Sequence, residues 1–187
     1  MSQLGPDDWV RVASAGLAEG GVDKIRVEAL ARTLGVSKGS FYWHFRDRRS
    51  LLDSILARWE REATSNIIER VEALSGSPAE RLKALMDITF RTPLEADRFE
   101  AALRAWAAGD ERAQAAVRKV DRRRIGYVEG LLEEAGVPPA QAAHRAHLLY
   151  RTLVGEFVMR SSGEKASSAR ALGELRKLML AGTGGGE

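Results

Sequence analysis

Residues 27–45 read Val-Glu-Ala-Leu-Ala-Arg-Thr-Leu-Gly-Val-Ser-Lys-Gly-Ser-Phe-Tyr-Trp-His-Phe, and their spacing decides the fold. Leu30 and Leu34 put apolar bulk on one face of a first short helix, and Ala31 is small enough for another helix to cross closely. Gly35 falls where a tight interhelical turn needs a positive φ, Val36 plugs the core, and Ser37 is placed to cap the next helix. Phe41 and Phe45, four apart, bury the inner face of that second helix. This is the steric recipe of a helix-turn-helix. The outward residues Lys38, Ser40, Tyr42, Trp43 and His44 are polar or aromatic, on a helix too short to be a structural element of a large body. Lys38, Gly39 and Ser40 stand at its N-terminus, where free amides and the helix dipole favour phosphate, and Gly39 removes bulk from the approach.

Charge gathers around the same stretch. Residues 24–49 hold seven cations (Lys24, Arg26, Arg32, Lys38, Arg46, Arg48, Arg49) and two acids (Glu28, Asp47), a local charge of +5. The whole 187-residue chain carries +3, so everything outside this window sums to −2. A basic head on a slightly acidic remainder is the footprint of a phosphate-backbone binder.

Outward from this head the chain is punctuated for helices. Pro6 with Asp7 and Asp8, Ser77-Pro78-Ala79-Glu80, Thr92-Pro93-Leu94-Glu95, Asp110 and Pro138-Pro139 all read as helix starts, the second and third as capping boxes. Apolar residues recur at steps of three and four, as in Leu52, Leu56, Trp59, Ala63, Ile67, Val71 and Leu74, and no stretch alternates with period two. The pattern predicts an all-α chain of nine helices, near 6–20, 26–34, 38–45, 48–75, 78–91, 93–108, 110–136, 139–161 and 165–181. Three short helices form a head over residues 1–47. A long helix 4 joins it to a helical body over 48–181, and Gly182 to Glu187 form a flexible tail. The absence of Cys excludes thiolate metal sites and cysteine nucleophiles, and no run of about 18 apolar residues predicts a membrane span. The polar N-terminus does not read as a signal peptide, so the expected compartment is the cytoplasm.

The run Val36-Ser37-Lys38-Gly39-Ser40-Phe41-Tyr42-Trp43-His44-Phe45, followed by Arg46-Asp47-Arg48-Arg49-Ser50-Leu51-Leu52, resembles the DNA-binding head of the tetracycline-repressor (TetR) family, over about residues 8–55. The resemblance implies that the second helix of the motif enters the major groove of an operator duplex. Ser37, Lys38, Gly39, Ser40, Tyr42, Trp43 and His44 would then lie at DNA, with Arg48 holding phosphate from the start of helix 4. Where that family often has Thr or Ser at the start of helix 2, this chain has Arg26, a longer charged arm toward phosphate or a base edge. The resemblance further implies a body that binds a small-molecule effector and forms a homodimer, in a transcriptional regulator of the ligand-released repressor type.

In the body, Met86, Phe90, Phe99, Trp106, Tyr127 and Tyr150 are large side chains at helical spacing, either core or the wall of an effector pocket. Arg104, Arg123, Arg124, Tyr127 and Tyr150 could supply its polar groups. For dimerisation, Ala146, Leu149, Leu153 and Phe157 of helix 8 and Leu172, Leu175 and Met179 of helix 9 suit a four-helix bundle between two protomers. His144 and His147 read as surface residues, and neither a metal nor another cofactor is expected. No catalytic triad, metal-ligand set or Gly-rich phosphate loop points to an enzyme. The competing readings are an effector-blind architectural DNA binder and, more remotely, an enzyme built on the body.

Overall fold

The computed structural model describes residues 4–182, and among them the chain forms nine α-helices and no strand. They are α1 (Pro6–Gly20), α2 (Val27–Leu34), α3 (Lys38–Tyr42), α4 (48–72), α5 (Pro78–Thr89), α6 (Leu94–Ala107), α7 (Glu111–Glu134), α8 (Pro139–Ser161) and α9 (Ala169–Met179). The flexible tail expected from Gly182 onward lies, beyond that residue, outside the described residues.

Local chemistry sets the ends. Gly35, at φ 69°, closes α2 in the left-handed conformation, and the Val36 N–H reaches back to the Ala31 carbonyl. Asp47 caps α4 by accepting the Ser50 N–H at 2.8 Å. Ser77 and Glu80 form the expected reciprocal box at the start of α5, and Asp110 accepts two N–H groups at the start of α7. The box expected at Thr92 does not form, because the Thr92 hydroxyl donates instead to the buried Asp97 carboxylate at 2.6 Å. Ser37 stands at the N-cap of α3 but its side chain caps nothing. That helix ends at Tyr42 rather than running to residue 45, since the His44 and Phe45 N–H groups both turn back to the Phe41 carbonyl.

Helix α4 is not uniform. Between Arg48–Glu60 and Asn66–Glu72 it widens into a π-helical turn, Arg61–Ser65, with the Asn66 N–H donating to the Arg61 carbonyl five residues back.

Two apolar clusters make the core. The first starts in the head, where Trp9 meets Phe41 edge-on at 5.3 Å and Phe41 stacks on Phe45. It continues through Leu51, Ile55 and Trp59 of α4 into Leu103, Trp106 and Ala107 of α6 and Val117 and Val120 of α7. Packing therefore does not break at residue 47; the head shares its core with α6. The second cluster joins α5, the later half of α7, α8 and α9.

This corrects the expected dimer face. Ala146, Leu149, Leu153, Phe157, Leu172 and Met179 are buried within the single chain, with Leu175 packed against them, because these inward stripes close the second cluster. The apolar side chains that α8 and α9 leave exposed are Leu148, Val158, Met159 and Leu178.

Candidate nucleic-acid interface and effector cavity

The helix-turn-helix presents a small outward surface. With Phe41 fully buried, the next two side chains of the chain are forced out: Tyr42 is 55% exposed and Trp43 88% exposed. Lys38 and Gly39 are exposed on the same element, with Ser40 and His44 half-buried beside them and Arg26 exposed at the N-cap of α2. An indole this open contributes little to the core. Lys38 is not idle in the free protein. It forms an ion pair with Glu28 of α2, which holds the Glu28 carboxyl below its usual range.

Arg48 departs from expectation. Its Nε donates to the Ile25 carbonyl and a terminal nitrogen to the Val22 carbonyl, both at 2.6 Å. The side chain thus ties the start of α4 to the loop before α2. Arg46, by contrast, is 90% exposed and pairs with its neighbour Asp47.

Behind the head lies a cavity of about 680 Å³. Its walls come from both halves of the molecule: Ser14, Ala15, Ala18 and Glu19 of α1, the Ile55–Ile68 stretch of α4 including the π turn, and Leu85 to Phe90 of α5. The first turns of α6, and inward side chains of α7 and α8, complete it. Of the aromatic and Met residues expected to line a pocket, Met86, Phe90, Phe99, Tyr127 and Tyr150 do so; Trp106 does not, being packed into the first cluster between α6 and α7. The sequence reading missed Trp59, Glu100 and the π turn.

The deep end of the cavity is polar and internally paired. Glu100, only 5% exposed, accepts from Trp59 Nε1 at 2.7 Å, from Arg124 at 2.9 Å and from Arg104 at 3.1 Å. Burial pushes its carboxyl up, but the Arg124 and Arg104 guanidiniums outweigh that and hold it below the usual range. Arg124 also donates to Thr64 Oγ1 and to the Ala63 carbonyl, both at 3.0 Å, and lies over the Trp59 ring at 5.3 Å. The Tyr150 hydroxyl donates to Asp121 at 2.6 Å and accepts from Arg104 at 2.7 Å, and burial pushes its phenol up to about 12. Arg104, expected at a pocket, stands behind this wall, and Arg123 turns away to Ser65.

Against this geometry, residues 10–55 match the bacterial regulatory proteins, tetR family. The chain is 36% identical over 72 residues to the class A tetracycline repressor of transposon 1721 from Escherichia coli, covering 38% of this chain and 33% of that one. It is 33% identical over 55 residues to the class D repressor of E. coli, 29% of this chain and 25% of that one. Over this stretch the chain is similar to the DNA-binding head of the TetR family. The match spans about a third or less of those repressors' own length. The TetR-type fold extends further than the sequence likeness. A TetR regulator from Legionella pneumophila superposes with a TM-score of 0.75 at 15% identity, over 96% of this chain and 97% of that one. A TetR-family regulator from Agrobacterium tumefaciens gives 0.71 at 22%, over 94% and 95%. A protein from Saccharomonospora viridis, solved in complex with choline, gives 0.74 at 14%, over 93% and 92%.

Among the described residues there is no group of three or more His, Cys, Asp or Glu placed to hold a metal, and no helix long and apolar enough to cross a membrane. His144 and His147 are both exposed.

Proposed function

We propose that this TetR-family chain is a sequence-specific DNA-binding transcriptional regulator, a repressor released from its operator by a small molecule and acting in the cytoplasm as a homodimer without enzymatic activity. The observation that carries the reading is the pairing of an exposed Tyr42-Trp43 edge with a local charge of +5 over residues 24–49, on a chain whose remainder sums to −2. In this reading Lys38, Gly39, Ser40, Tyr42, Trp43 and His44 face the groove, and Arg26 and Arg46 supply flanking charge. Trp43 gives an apolar plane for thymine methyl groups or sugar edges, and Lys38 exchanges Glu28 for a phosphate or guanine.

The cavity supports the effector half of the proposal, since its walls join α1 of the head to α5, α7 and α8 of the body. A ligand there touches both, and an affinity difference between two head positions of about 1–3 kcal/mol would suffice for control. For the homodimer, the exposed Leu148, Val158 and Met159 of α8 and Leu178 of α9 are the surface in search of a partner. A two-fold dimer would set its two recognition helices at half-sites about 34–36 Å apart or a multiple of that.

Gel-shift titration of the full chain against the DNA flanking its own gene tests the proposal. Preference for one segment over competitor DNA at moderate salt is expected, and equal affinity for both refutes it. Sedimentation of Leu148→Glu combined with Leu178→Glu tests the dimer face: monomers are expected, and an unchanged dimer mass places the interface elsewhere.

A further inference from the structure

The deep end of the cavity resembles a carboxylate-binding site that is already full. Two guanidiniums and an indole N–H converge on one point, the donor set that recognises a carboxylate, and the carboxylate found there is the chain's own Glu100. Resting on the effector reading of the cavity, we propose that the cavity selects uncharged, largely apolar ligands, because Glu100 fills from within the site that an anionic ligand would otherwise take.

The donors that reach the cavity are already taken. Arg124 directs its Nε to Thr64, one terminal nitrogen to Glu100 and Tyr150 and the other to Ala63 and Glu100. The terminal nitrogens of Arg104 are engaged by Glu100, Asp121 and Tyr150, and its Nε, which has no acceptor, is buried behind the cavity wall. With Glu100 and Asp121 opposing Arg104 and Arg124, the cluster is neutral, and a charge brought into this desolvated end finds no uncompensated partner. An added carboxylate would be desolvated against Glu100. An added ammonium would meet two guanidiniums, and the Trp59 face that could attract it is covered by Arg124. Most of the remaining wall is apolar, with Met86, Phe90, Phe99, Leu153 and Phe157 among its side chains; of its charged members, Glu19, Glu62, Glu95 and Arg98 are exposed and Arg58 is paired with Glu62. Glu100 is thus a specificity-determining residue.

The test uses three probes with one skeleton, phenylbutanol, phenylbutanoate and phenylbutylammonium, titrated into the full chain and followed by thermal shift and tryptophan fluorescence. Wild type is expected to bind the alcohol at least tenfold more tightly than either ion. In Glu100→Ala the vacated site is expected to take phenylbutanoate at least tenfold more tightly than wild type does, and propionate alone is expected to recover part of the lost melting temperature. Glu100→Gln keeps the shape and removes the charge, so it serves should the alanine protein not fold; its preference for alcohol over carboxylate is expected to narrow tenfold. Wild type favouring either ion, no binding of any probe, or a Glu100→Gln protein with unchanged preference overturns the proposal. Discrimination as expected with no change in DNA affinity upholds the selectivity and removes only the effector role.

Discussion

Replacing Arg48 by Ala separates two roles that one arginine at the start of α4 can play. The structure gives it two short hydrogen bonds to the Ile25 and Val22 carbonyls. A hydrogen bond with a charged partner contributes about 1.5–3 kcal/mol when protected. Both lie toward the surface, where water competes for donor and acceptor alike, so a combined loss of about 1–2 kcal/mol is expected. For a chain of this length that lowers Tm by about 3–6 °C. The second readout is DNA affinity against salt. Removing one cation that neutralises a phosphate flattens the slope of log K against log salt by about 0.9. A tie within the head loosens the head but leaves every phosphate neutralised as before, so the line should drop in parallel with its slope intact. Circular dichroism melts and filter binding at four or five salt concentrations measure both. A protein with an unaltered Tm and a slope flatter by about 0.9 would refute this assignment and restore Arg48 as a phosphate clamp.

Other outcomes follow from the same geometry. Glu28→Gln releases Lys38 from its ion pair, so DNA affinity should rise about two- to fivefold at low salt, the range of one exposed charge pair; an unchanged affinity would mean that Lys38 does not meet DNA. Trp43→Ala removes an exposed side chain, so stability should stay within about 0.5 kcal/mol of wild type while operator affinity falls about tenfold, read by melting and gel shift together. Asp110→Ala deletes a cap that accepts two N–H groups and should cost about 1 kcal/mol; a Tm unchanged by this substitution would show that the cap is replaced by water. The Glu100 carboxyl is held below its usual range in the fold, so its contribution is complete above that range and lost as pH falls through it. Glu100→Gln lacks that contribution, so its Tm should fall less steeply than wild type's on acidification below about pH 4.5; parallel curves would show that Glu100 is not part of the acid response.

The helix-turn-helix was legible because few sequences satisfy its sterics: Gly35 takes the positive φ the turn requires, and Phe41 and Phe45 go inward as their spacing demands. Helix order was legible because most starts carry Pro, Ser or Asp, although α2 starts after Arg26 and the Ser37 side chain caps nothing. Which stripe faces which neighbour was not. Ala146, Leu149, Leu153 and Phe157 form an apolar face that suits a partner protomer and the protomer's own core equally well, and only the course of α5 and α7 chooses between them. The buried polar cluster left a trace that could have been read. In the stretch around α6, Asp97 and Glu100 fall in register with Leu103, charged residues on the stripe that must be buried. The π turn left one too. Trp59, Ala63, Ile67 and Val71 are spaced by successive fours, which on a regular α-helix would drift about 40° per step around the axis. A wider turn between the first and third of them absorbs that drift and keeps them on one side.

That widened turn connects the cavity to the strut that carries the head. Within that turn the Ala63 carbonyl accepts from Arg124, and the Thr64 hydroxyl does the same. Arg124 in turn is held by Glu100 from α6. The π turn of α4, the cavity's polar end and α6 are therefore one hydrogen-bonded unit, and α6 shares an apolar core with α1 and α3 of the head. A hinge at the sequence boundary near residue 47 would have to split that core, whereas a rearrangement at the cavity need only exchange partners of Arg124. In the proposed ligand-released repressor, the softer path from ligand to DNA would thus run through the α1 and α6 walls and the π turn together. It requires of a ligand only that it fit two arrangements of those walls unequally.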